Sequence, residues 1–334
     1  MAKKKLKAAV IGVGHLGRHH ARILASMSDI ELLAVVDRNE EQGRSIAEKE
    51  GTQWQADLDG LEKELDFAVI AVPTVLHQTC AAPLLRAGVA CLIEKPMAPD
   101  PESCNAILAD AAVGNAIVSV GHVERFNPAV ARAMAVGIQP RFIEAHRLAP
   151  YSFRSTDVGV VLDLMIHDID LALAWTGSQV KSVDAIGGAT LSPSEDIVSA
   201  RLRFEDNSVA NLTASRLSLK PMRRFRVFGP DSYLSVDSQD RYALMVQKAE
   251  GFSQEAVAEA AQSANPVDGF RSLLDVEELQ LDEDEPLRAE LESFAAAVRG
   301  ESEVVVTGEA GRDAVAVAFR IMDALQDCGW SQPE

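Results

Sequence analysis

The chain has 334 residues, of which 47% are hydrophobic and 25% are charged. This length accommodates two domains with sizeable cores, and the composition is typical of a folded globular protein. The formal net charge of −18 argues against a nucleic acid as partner, because phosphate contacts require clustered cations. No apolar run approaches the ~20 residues that span a bilayer, so we expect no membrane insertion.

Two features predict a cytoplasmic location. The basic start Met1–Lys5 leads into a short predicted strand and not into the apolar core of a signal peptide. The cysteines Cys80, Cys91, Cys104 and Cys328 show neither disulfide nor metal-ligand spacing. We interpret them as thiols of a reducing compartment and predict no metal site.

A glycine-rich turn follows the first predicted strand. The motif Gly12-Val13-Gly14-His15-Leu16-Gly17 separates the apolar segment Leu6–Ile11 from a segment with helical apolar spacing, and a second apolar segment ends at Asp37. In such a unit the glycines allow a tight turn, close approach of a pyrophosphate and close helix packing, while the acid accepts ribose hydroxyls. A turn without a ligand is the alternative, and the presence of strand, helix and acid disfavours it.

Asp37 and Arg38 bear on the choice of cofactor. The carboxylate of Asp37 would repel a 2′-phosphate and therefore favours NAD over NADP. Arg38 has two alternative interpretations, since it could pair with a 2′-phosphate or stack on adenine. We predict NAD as the cofactor.

Strands and helices continue to alternate over the first third of the chain. We predict helices over 40–50, 74–87 and 101–112, and strands over 67–72, 89–93 and 116–120. This alternation is typical of a doubly wound parallel α/β sheet, whose ligands bind at the carboxyl ends of the strands. Four residues of interest fall at such ends, namely Gly12, Asp37, Pro73 and Lys95.

The pattern changes near residue 141, where strand-like segments follow one another. Residues 197–204 alternate between apolar and polar side chains, which predicts an antiparallel strand with one covered face. We therefore expect an NAD-binding Rossmann domain over 1–122, and an α+β domain with an open, mostly antiparallel sheet over 123–285. Two helices close the chain over 286–334. The acidic stretch 251–285 is interpreted as an excursion from the sheet, without an assigned role.

A second candidate site lies in the segment 163–175. Asp163 and His167 are four residues apart and therefore share a helix face. A histidine in a dehydrogenase can accept the hydroxyl proton while hydride leaves carbon. The structural alternatives are a helix cap at Asp163 and a core histidine at position 167.

Taken together, the glycine turn, Glu94-Lys95-Pro96 and the Asp163…His167 segment resemble the glucose–fructose oxidoreductase and inositol dehydrogenase (GFO/IDH/MocA) family over nearly the whole chain. Its members join a Rossmann domain to an open-faced sheet that forms the oligomer interface. The resemblance thus implies a homo-oligomer, dimer or tetramer. The segment 121–128 matches the family's crossing between domains. The segment 73–77 resembles its loop beside the cofactor, with Thr74 where asparagine is frequent.

By this resemblance, Lys95 and His167 face the substrate beside the nicotinamide, and Asp163 holds a substrate hydroxyl. The residues expected to bind the cofactor are Gly12, Gly14, His15, Leu16, Gly17, Asp37, Arg38, Pro73, Thr74, His77, Glu94, Lys95 and His122.

The segment 155–170 is similar to one branch of this family, the UDP-N-acetylglucosamine 3-dehydrogenases of bacterial lipid A biosynthesis. These enzymes oxidise the 3-hydroxyl of the sugar to a ketone, which an aminotransferase then converts to an amine. A nucleotide diphosphate requires cations, and the densest basic cluster comprises Arg216, Lys220, Arg223, Arg224 and Arg226. Alternatively, this cluster pairs with surface acids or supports an oligomer interface. The residues expected to bind the substrate are Arg125, Asn127, Arg147, Arg154 and Arg224.

The expected reaction is hydride transfer from a sugar carbon to nicotinamide. His167 acts as general base, and the charge of Lys95 stabilises the developing alkoxide. A lysine base is the opposite assignment and stays open. Two other functions are alternatives: the same chemistry on a free polyol or monosaccharide such as inositol or glucose, and a non-catalytic NAD-binding sensor.

Overall fold

The computed structural model describes residues 5–152, 158–326 and 330. The chain divides into two compact units. The first contains residues 1–126 and 284–319, and the second contains residues 127–283 and 320–334. The closing helices expected after residue 285 are thus divided between the two units.

The first unit contains a six-stranded parallel sheet in the order β3-β2-β1-β4-β5-β6, which is the doubly wound dinucleotide-binding order. Its strands are β1 (Leu6–Ile11), β2 (Ile30–Val36), β3 (Gln53–Gln55), β4 (Phe67–Ile70), β5 (Ala90–Glu94) and β6 (Val118–Gly121). Its helices before residue 126 are α1 (Gly17–Ser26), α2 (Glu40–Glu50), α3 (His77–Arg86) and α4 (Pro101–Gly114). Every residue of β4 and β5 is buried, as expected for central parallel strands covered on both faces.

Local signals define the ends of these helices. The side chain of Asn39 caps α2 by accepting the Gln42 N–H, and that of Asp100 caps α4 by accepting the Ser103 N–H. Helix α2 ends at Gly51, which has a left-handed φ of 68°.

The second unit contains an eight-stranded sheet in the order β14-β13-β12-β11-β7-β10-β9-β8. Its strands are β7 (Phe142–Leu148), β8 (Val180–Gly188), β9 (Ile197–Phe204), β10 (Val209–Ser215), β11 (Met222–Phe228), β12 (Ser232–Asp237), β13 (Tyr242–Lys248) and β14 (Leu274–Glu278). Strands β7 and β10 pair in parallel, and the other pairs of described strands are antiparallel. The mostly antiparallel sheet expected from the sequence is confirmed.

Two helices pack on this sheet. Helix α5 (Pro128–Ala135) contacts β12 and β13, and α6 (Ile166–Thr176) contacts β7 and β10. The ring of Trp175 stacks on Phe225 with centroids 5.6 Å apart. Along β9, Val198, Ala200 and Leu202 are buried while the intervening residues are exposed, so the predicted face is the covered one.

The acidic stretch after β13 has more structure than the sequence indicates. It contains α7 (Gln254–Gln262), α8 (Pro266–Arg271) and the edge strand β14. Neither helix has a buried residue, which explains the weak apolar periodicity.

The chain then returns to the first unit through α9 (Pro286–Val298), which places Leu291, Phe294 and Ala295 in the core of that unit. The Phe294 ring meets Phe67 edge-on at 5.5 Å. Helix α10 (Gly308–Gln326) follows. Among the described helices, none has the length and apolar character needed to cross a membrane.

Candidate functional site

The glycine turn after β1 has two glycines that the fold itself requires. Gly12 has a φ of +86°, and a Cβ there would lie 2.8 Å from the Ala71 carbonyl oxygen. A Cβ at Gly17 would overlap the Gly12 carbonyl. Both positions therefore exclude side chains, because strand, turn and helix approach each other closely.

Gly14 is different, since a Cβ there would meet no protein atom. Its backbone, followed by the exposed His15 and Leu16, forms the surface of the turn at the N-terminus of α1. Packing within the unit does not explain this glycine, whereas close approach of a pyrophosphate does. The residues present thus fit a dinucleotide.

Asp37 lies at the carboxyl end of β2 and is half-buried. Its Oδ2 accepts the Val13 N–H at 2.9 Å and its Oδ1 accepts the Asn39 N–H at 2.8 Å. Each carboxylate oxygen retains capacity for a further donor, so ribose hydroxyls can bind there. Arg38 is exposed.

The loop after β4 contains Pro73 and Thr74 and leads to His77, the first residue of α3. His77 is 1% exposed, and its Nε2 and Nδ1 lie 2.9 Å and 3.2 Å from the carbonyl oxygens of Val72 and Met97. Burial lowers the pKa of its imidazole, against the opposing effect of these carbonyls. His77 thereby links the loop after β4 to the loop after β5, and its contact with the cofactor stays a prediction.

Lys95 follows β5 and is half-buried between buried neighbours. The preceding Glu94 is buried, and its carboxylate contacts His20 Nε2 at 2.6 Å. Burial alone would raise the pKa of Glu94, but the hydrogen bond and charge of His20 and the charge of Lys95 lower it overall. A fixed negative charge therefore lies beside Lys95.

His20 is not part of any motif that the sequence shows. A polar residue one turn after Gly17, on a helix face that is otherwise apolar and buried, is the pattern that indicates a buried partner for it. His122, at the end of β6, is also buried.

In the second unit, Asp163 lies within a π-helical turn, Val161–Met165, that leads directly into α6. Asp163 and His167 are half-buried, while Asp168 and Asp170 are buried. The first turn has Val160 at its cap, so the alternative of Asp163 as a cap is wrong. π-helical turns are rare and occur often at functional sites.

Most candidate substrate-binding residues already have partners within their own unit. Arg147 donates to Asp168 and is buried. Asn127 caps α5 by accepting the Ala129 N–H and donates to the Ser238 carbonyl.

Two of the remaining candidates, Arg224 and Arg125, are more accessible. Arg224 is half-exposed and lies 3.7 Å from Asp237. Arg125 is half-buried in a 3₁₀ turn after β6, and Arg154 lies outside the described residues. In the basic cluster, Arg226 pairs with the partly exposed Glu144, as expected for pairing with surface acids, whereas Arg216 pairs with Asp196, which is buried. Among the described residues, no group of three or more His, Cys, Asp or Glu side chains could hold a metal.

Comparison with known proteins agrees with this geometry. The sequence model of an oxidoreductase family with an NAD-binding Rossmann fold matches residues 6–122, and that of the GFO/IDH/MocA C-terminal domain matches residues 133–235. The UDP-N-acetylglucosamine 3-dehydrogenase of Acidithiobacillus ferrooxidans is 35% identical over 96% of this chain and 97% of that enzyme.

Two further similarities extend the comparison. The solved structure of the Acidithiobacillus ferrooxidans enzyme has a TM-score of 0.87 at 34% identity, covering 98% of this chain and 99% of that one. An inositol 2-dehydrogenase of Rhizobium meliloti is 25% identical over 94% of each chain. The chain therefore belongs to the GFO/IDH/MocA oxidoreductase family and is an NAD-dependent enzyme that acts on CH–OH groups.

Proposed function

We propose that this enzyme oxidises the 3-hydroxyl of UDP-N-acetylglucosamine with NAD and releases the 3-keto sugar ahead of transamination. The observation that carries this proposal is the 35% identity to a UDP-N-acetylglucosamine 3-dehydrogenase over 96% of this chain. The inositol 2-dehydrogenase of Rhizobium meliloti reaches only 25%. Lys95, Asp163 and His167 supply the groups that such a reaction requires.

The chemistry assigns one task to each of these three side chains. His167 accepts the proton of the 3-hydroxyl, and the charge of Lys95 stabilises the developing alkoxide. Asp163 holds a neighbouring hydroxyl of the sugar. Bound NAD supplies the hydride acceptor. In the second assignment Lys95 is the base and His167 is its electrostatic partner. The pH profiles of kcat for Lys95→Ala and His167→Ala distinguish the two assignments.

Cofactor selectivity follows from Asp37. Its two carboxylate oxygens, each already accepting one backbone N–H, favour ribose hydroxyls and disfavour a 2′-phosphate. NAD is therefore the preferred cofactor, and His15, Leu16, Pro73, Thr74, His77, Glu94 and His122 form or support its site.

The nucleotide diphosphate requires cations on the substrate side. Arg125 and Arg224 are the more accessible candidates among the described residues. Arg154, which lies outside them, is a third. UDP alone then inhibits competitively, whereas an enzyme for a free polyol or monosaccharide would ignore it. Membership of an oxidoreductase family disfavours the alternative of a non-catalytic NAD-binding sensor.

The exposed face of the second unit's sheet supports assembly with a second copy of the chain. On neighbouring strands, Ser199 meets Thr213 at 3.2 Å, and Arg201 donates to Asn211 at 3.1 Å. These four residues make this part of the face polar, Ile186 beside Ser199 adds an exposed apolar side chain, and the face lies opposite the buried residues of β9. A homo-oligomer through this sheet, in the cytoplasm and coupled to an aminotransferase of lipid A biosynthesis, completes the proposal.

A coupled assay tests the substrate. The enzyme is incubated with NAD, UDP-N-acetylglucosamine, glutamate and an aminotransferase that accepts UDP-linked 3-ketosugars, because oxidation alone is uphill near neutral pH. We expect a UDP-linked 2-acetamido-3-amino sugar by mass spectrometry and NMR, and no product with His167→Ala. If the coupled assay stays silent while inositol or glucose reduces NAD readily, the nucleotide-sugar proposal is wrong.

A further inference from the structure

Two buried arginines of the second unit lie where the parallel strands β7 and β10 end. Arg147 is the penultimate residue of β7, and Arg216 directly follows β10. The register aligns Arg147 with Ala214, so Arg216, two positions further, projects from the same face of the sheet. They are 4% and 6% exposed. The sequence places them among candidate phosphate ligands, yet both point into the protein.

Arg147 contacts the beginning of α6. Its Nε donates to Asp168 Oδ2 at 3.1 Å, and its Nη2 donates to Asp168 Oδ1 at 2.8 Å. This two-pronged geometry fixes both the distance and the orientation of the carboxylate. Because Asp168 follows His167 directly, the pair also fixes the backbone that carries the imidazole.

Arg216 contacts the chain before the π-helical turn, at the other end of the segment 158–168. Its Nη1 donates to the Val158 carbonyl at 2.9 Å, and its Nη2 donates to the Glu195 carbonyl at 3.3 Å. Its Nε donates to Asp196 at 2.7 Å. The guanidinium thus joins the chain before the π-helical turn to the loop before β9.

Glu195 extends this contact to the turn itself. Its carbonyl accepts the Val160 N–H at 3.0 Å, and its carboxylate accepts the Val161 N–H at 3.2 Å. A Cβ at Gly159 would overlap the Glu195 carboxylate, so a side chain at that position would displace this carboxylate from the turn. The first N–H groups of the turn are therefore satisfied by one residue that Arg216 holds in place.

Asp196 anchors Arg216 in turn. It is fully buried, and its carboxylate also accepts the N–H groups of Thr190, Leu191 and Ser192 at 2.6–3.0 Å. Burial alone would raise the pKa of Asp196, but the hydrogen bonds from the Ser192 hydroxyl, from the Leu191 and Thr190 N–H groups and from Arg216 lower it well below its usual range. The anchor stays ionised at neutral pH.

We propose that Arg147 and Arg216 are positioning residues that hold the two ends of the segment 158–168 and thereby place Asp163 and His167 for proton transfer. The inference rests on the proposed function, in which these two side chains act on the sugar. It assigns Arg147 to the helix and not to the diphosphate. A displacement of about 1 Å at a reacting group is enough to lower a rate about 10²-fold.

The test uses Arg147→Lys and Arg216→Lys, which keep the charge and lose the forked geometry. Glu195→Gln serves as a milder variant should a lysine variant fail to fold. Arg320→Met is the matched control, because Arg320 bridges two backbone carbonyls, those of Val180 and Lys181, on the edge strand of the same unit. Melting curves and NAD titration verify that both units are folded.

We expect kcat with UDP-N-acetylglucosamine to fall about 10²-fold in the lysine variants and less in Glu195→Gln, with the control unchanged. The inhibition constant of UDP stays within about twofold, since diphosphate binding is not lost. If Arg147→Lys instead weakens UDP binding tenfold and leaves kcat unchanged, Arg147 is a phosphate ligand and the proposal is wrong.

Hydrogen exchange supplies a readout that does not depend on turnover. The amides of residues 160–168 should exchange at least tenfold faster in the lysine variants than in the wild type, and at the wild-type rate in Arg320→Met. If amide exchange and kcat are both unchanged in folded lysine variants, the positioning role is wrong, while the proposed function is unaffected. Faster exchange in a protein that turns over no nucleotide sugar would sustain the positioning role and remove the proposed substrate.

Discussion

The two units support their candidate catalytic residues by different means. Lys95 continues a central strand whose residues are all buried, and its nearby side-chain support is the Glu94–His20 pair. Asp163 and His167 lie on a π-helical turn and the first turn of α6, where guanidinium groups at either end provide the anchoring. A strand end is fixed by the backbone hydrogen bonds of its ladder, whereas the backbone hydrogen bonds inside a helical segment stay within it, so its position depends on side-chain contacts. Substitution of the residues that hold the catalytic side chain in place should therefore lower kcat less around Lys95 than around His167.

The largest effects should come from the two candidate catalytic side chains themselves. Lys95→Ala and His167→Ala should each lower kcat about 10²-fold or more, the usual range for the loss of an electrostatic or acid–base group. Calorimetric titration should show near-normal NAD binding by His167→Ala, because the glycine turn and Asp37 belong to the other unit. Near-normal kcat in His167→Ala would make the histidine structural.

We expect cofactor selectivity to depend on Asp37 of the first unit. Asp37→Ser removes the carboxylate that ribose hydroxyls would contact and the acceptor of the Val13 N–H. We expect NAD to bind about 10- to 100-fold more weakly, because a hydrogen bond to a charged group contributes about 1.5–3 kcal/mol. NADP should bind more tightly, because the negative charge that would repel its 2′-phosphate is removed. Titration of both cofactors measures the change. Tighter binding of NADP than NAD by the wild type would show that Arg38 dominates.

The comparison between the units is tested most sharply by Glu94→Gln. Glutamine keeps an oxygen that can meet His20, while the strand continues to hold Lys95 in place. We expect kcat to fall less than tenfold, and less than in Arg147→Lys. A larger loss than in Arg147→Lys would reverse the comparison and show that the fixed charge of Glu94 matters more than the position of Lys95.

The smallest effect concerns Glu290 on α9, which is 1% exposed and whose carboxyl oxygens have no hydrogen-bond partner among the described residues. Burial, with the charge of Glu94, raises the pKa of this carboxyl well above its usual range. The folded state therefore favours the protonated form, so stability is full below the unfolded pKa of about 4.3 and declines as pH rises toward the folded value.

Replacing this carboxyl by an amide should remove that decline. Urea unfolding at pH 5 and pH 8 should show a smaller loss of stability for Glu290→Gln than for the wild type. Parallel curves for the two proteins would mean that Glu290 is ionised in the folded state.

The elements that the sequence predicts are those whose signal is local. The glycine turn is recognisable because the backbone geometry of one strand–turn–helix unit requires glycine at positions 12 and 17. Strand β9 is recognisable because apolar and polar residues alternate along it. Two pairs of the second unit are not local: Arg147 and Asp168 are 21 positions apart, and Arg216 and Asp196 are 20 apart.

Such long-range pairs have no signature in the sequence. Arg216 stands beside Lys220 and Arg223 in the chain, which suggests a basic surface, yet the fold buries it. The sequence does not predict helices α7 and α8, because they bury no residue and therefore lack an apolar stripe. The contact between His20 on α1 and Glu94 at the end of β5 joins residues 74 positions apart, so no local pattern specifies it.

Isotope transfer shows which carbon of the sugar loses the hydride. The enzyme, in stoichiometric amount, is mixed with NAD and UDP-N-acetylglucosamine carrying deuterium at C3, and the reduced cofactor is analysed by mass spectrometry. We expect deuterium in NADH from the C3-labelled sugar and none from the same sugar labelled at C4. Deuterium arriving from C4, or unlabelled NADH formed from the C3-labelled sugar, would contradict oxidation at the 3-hydroxyl.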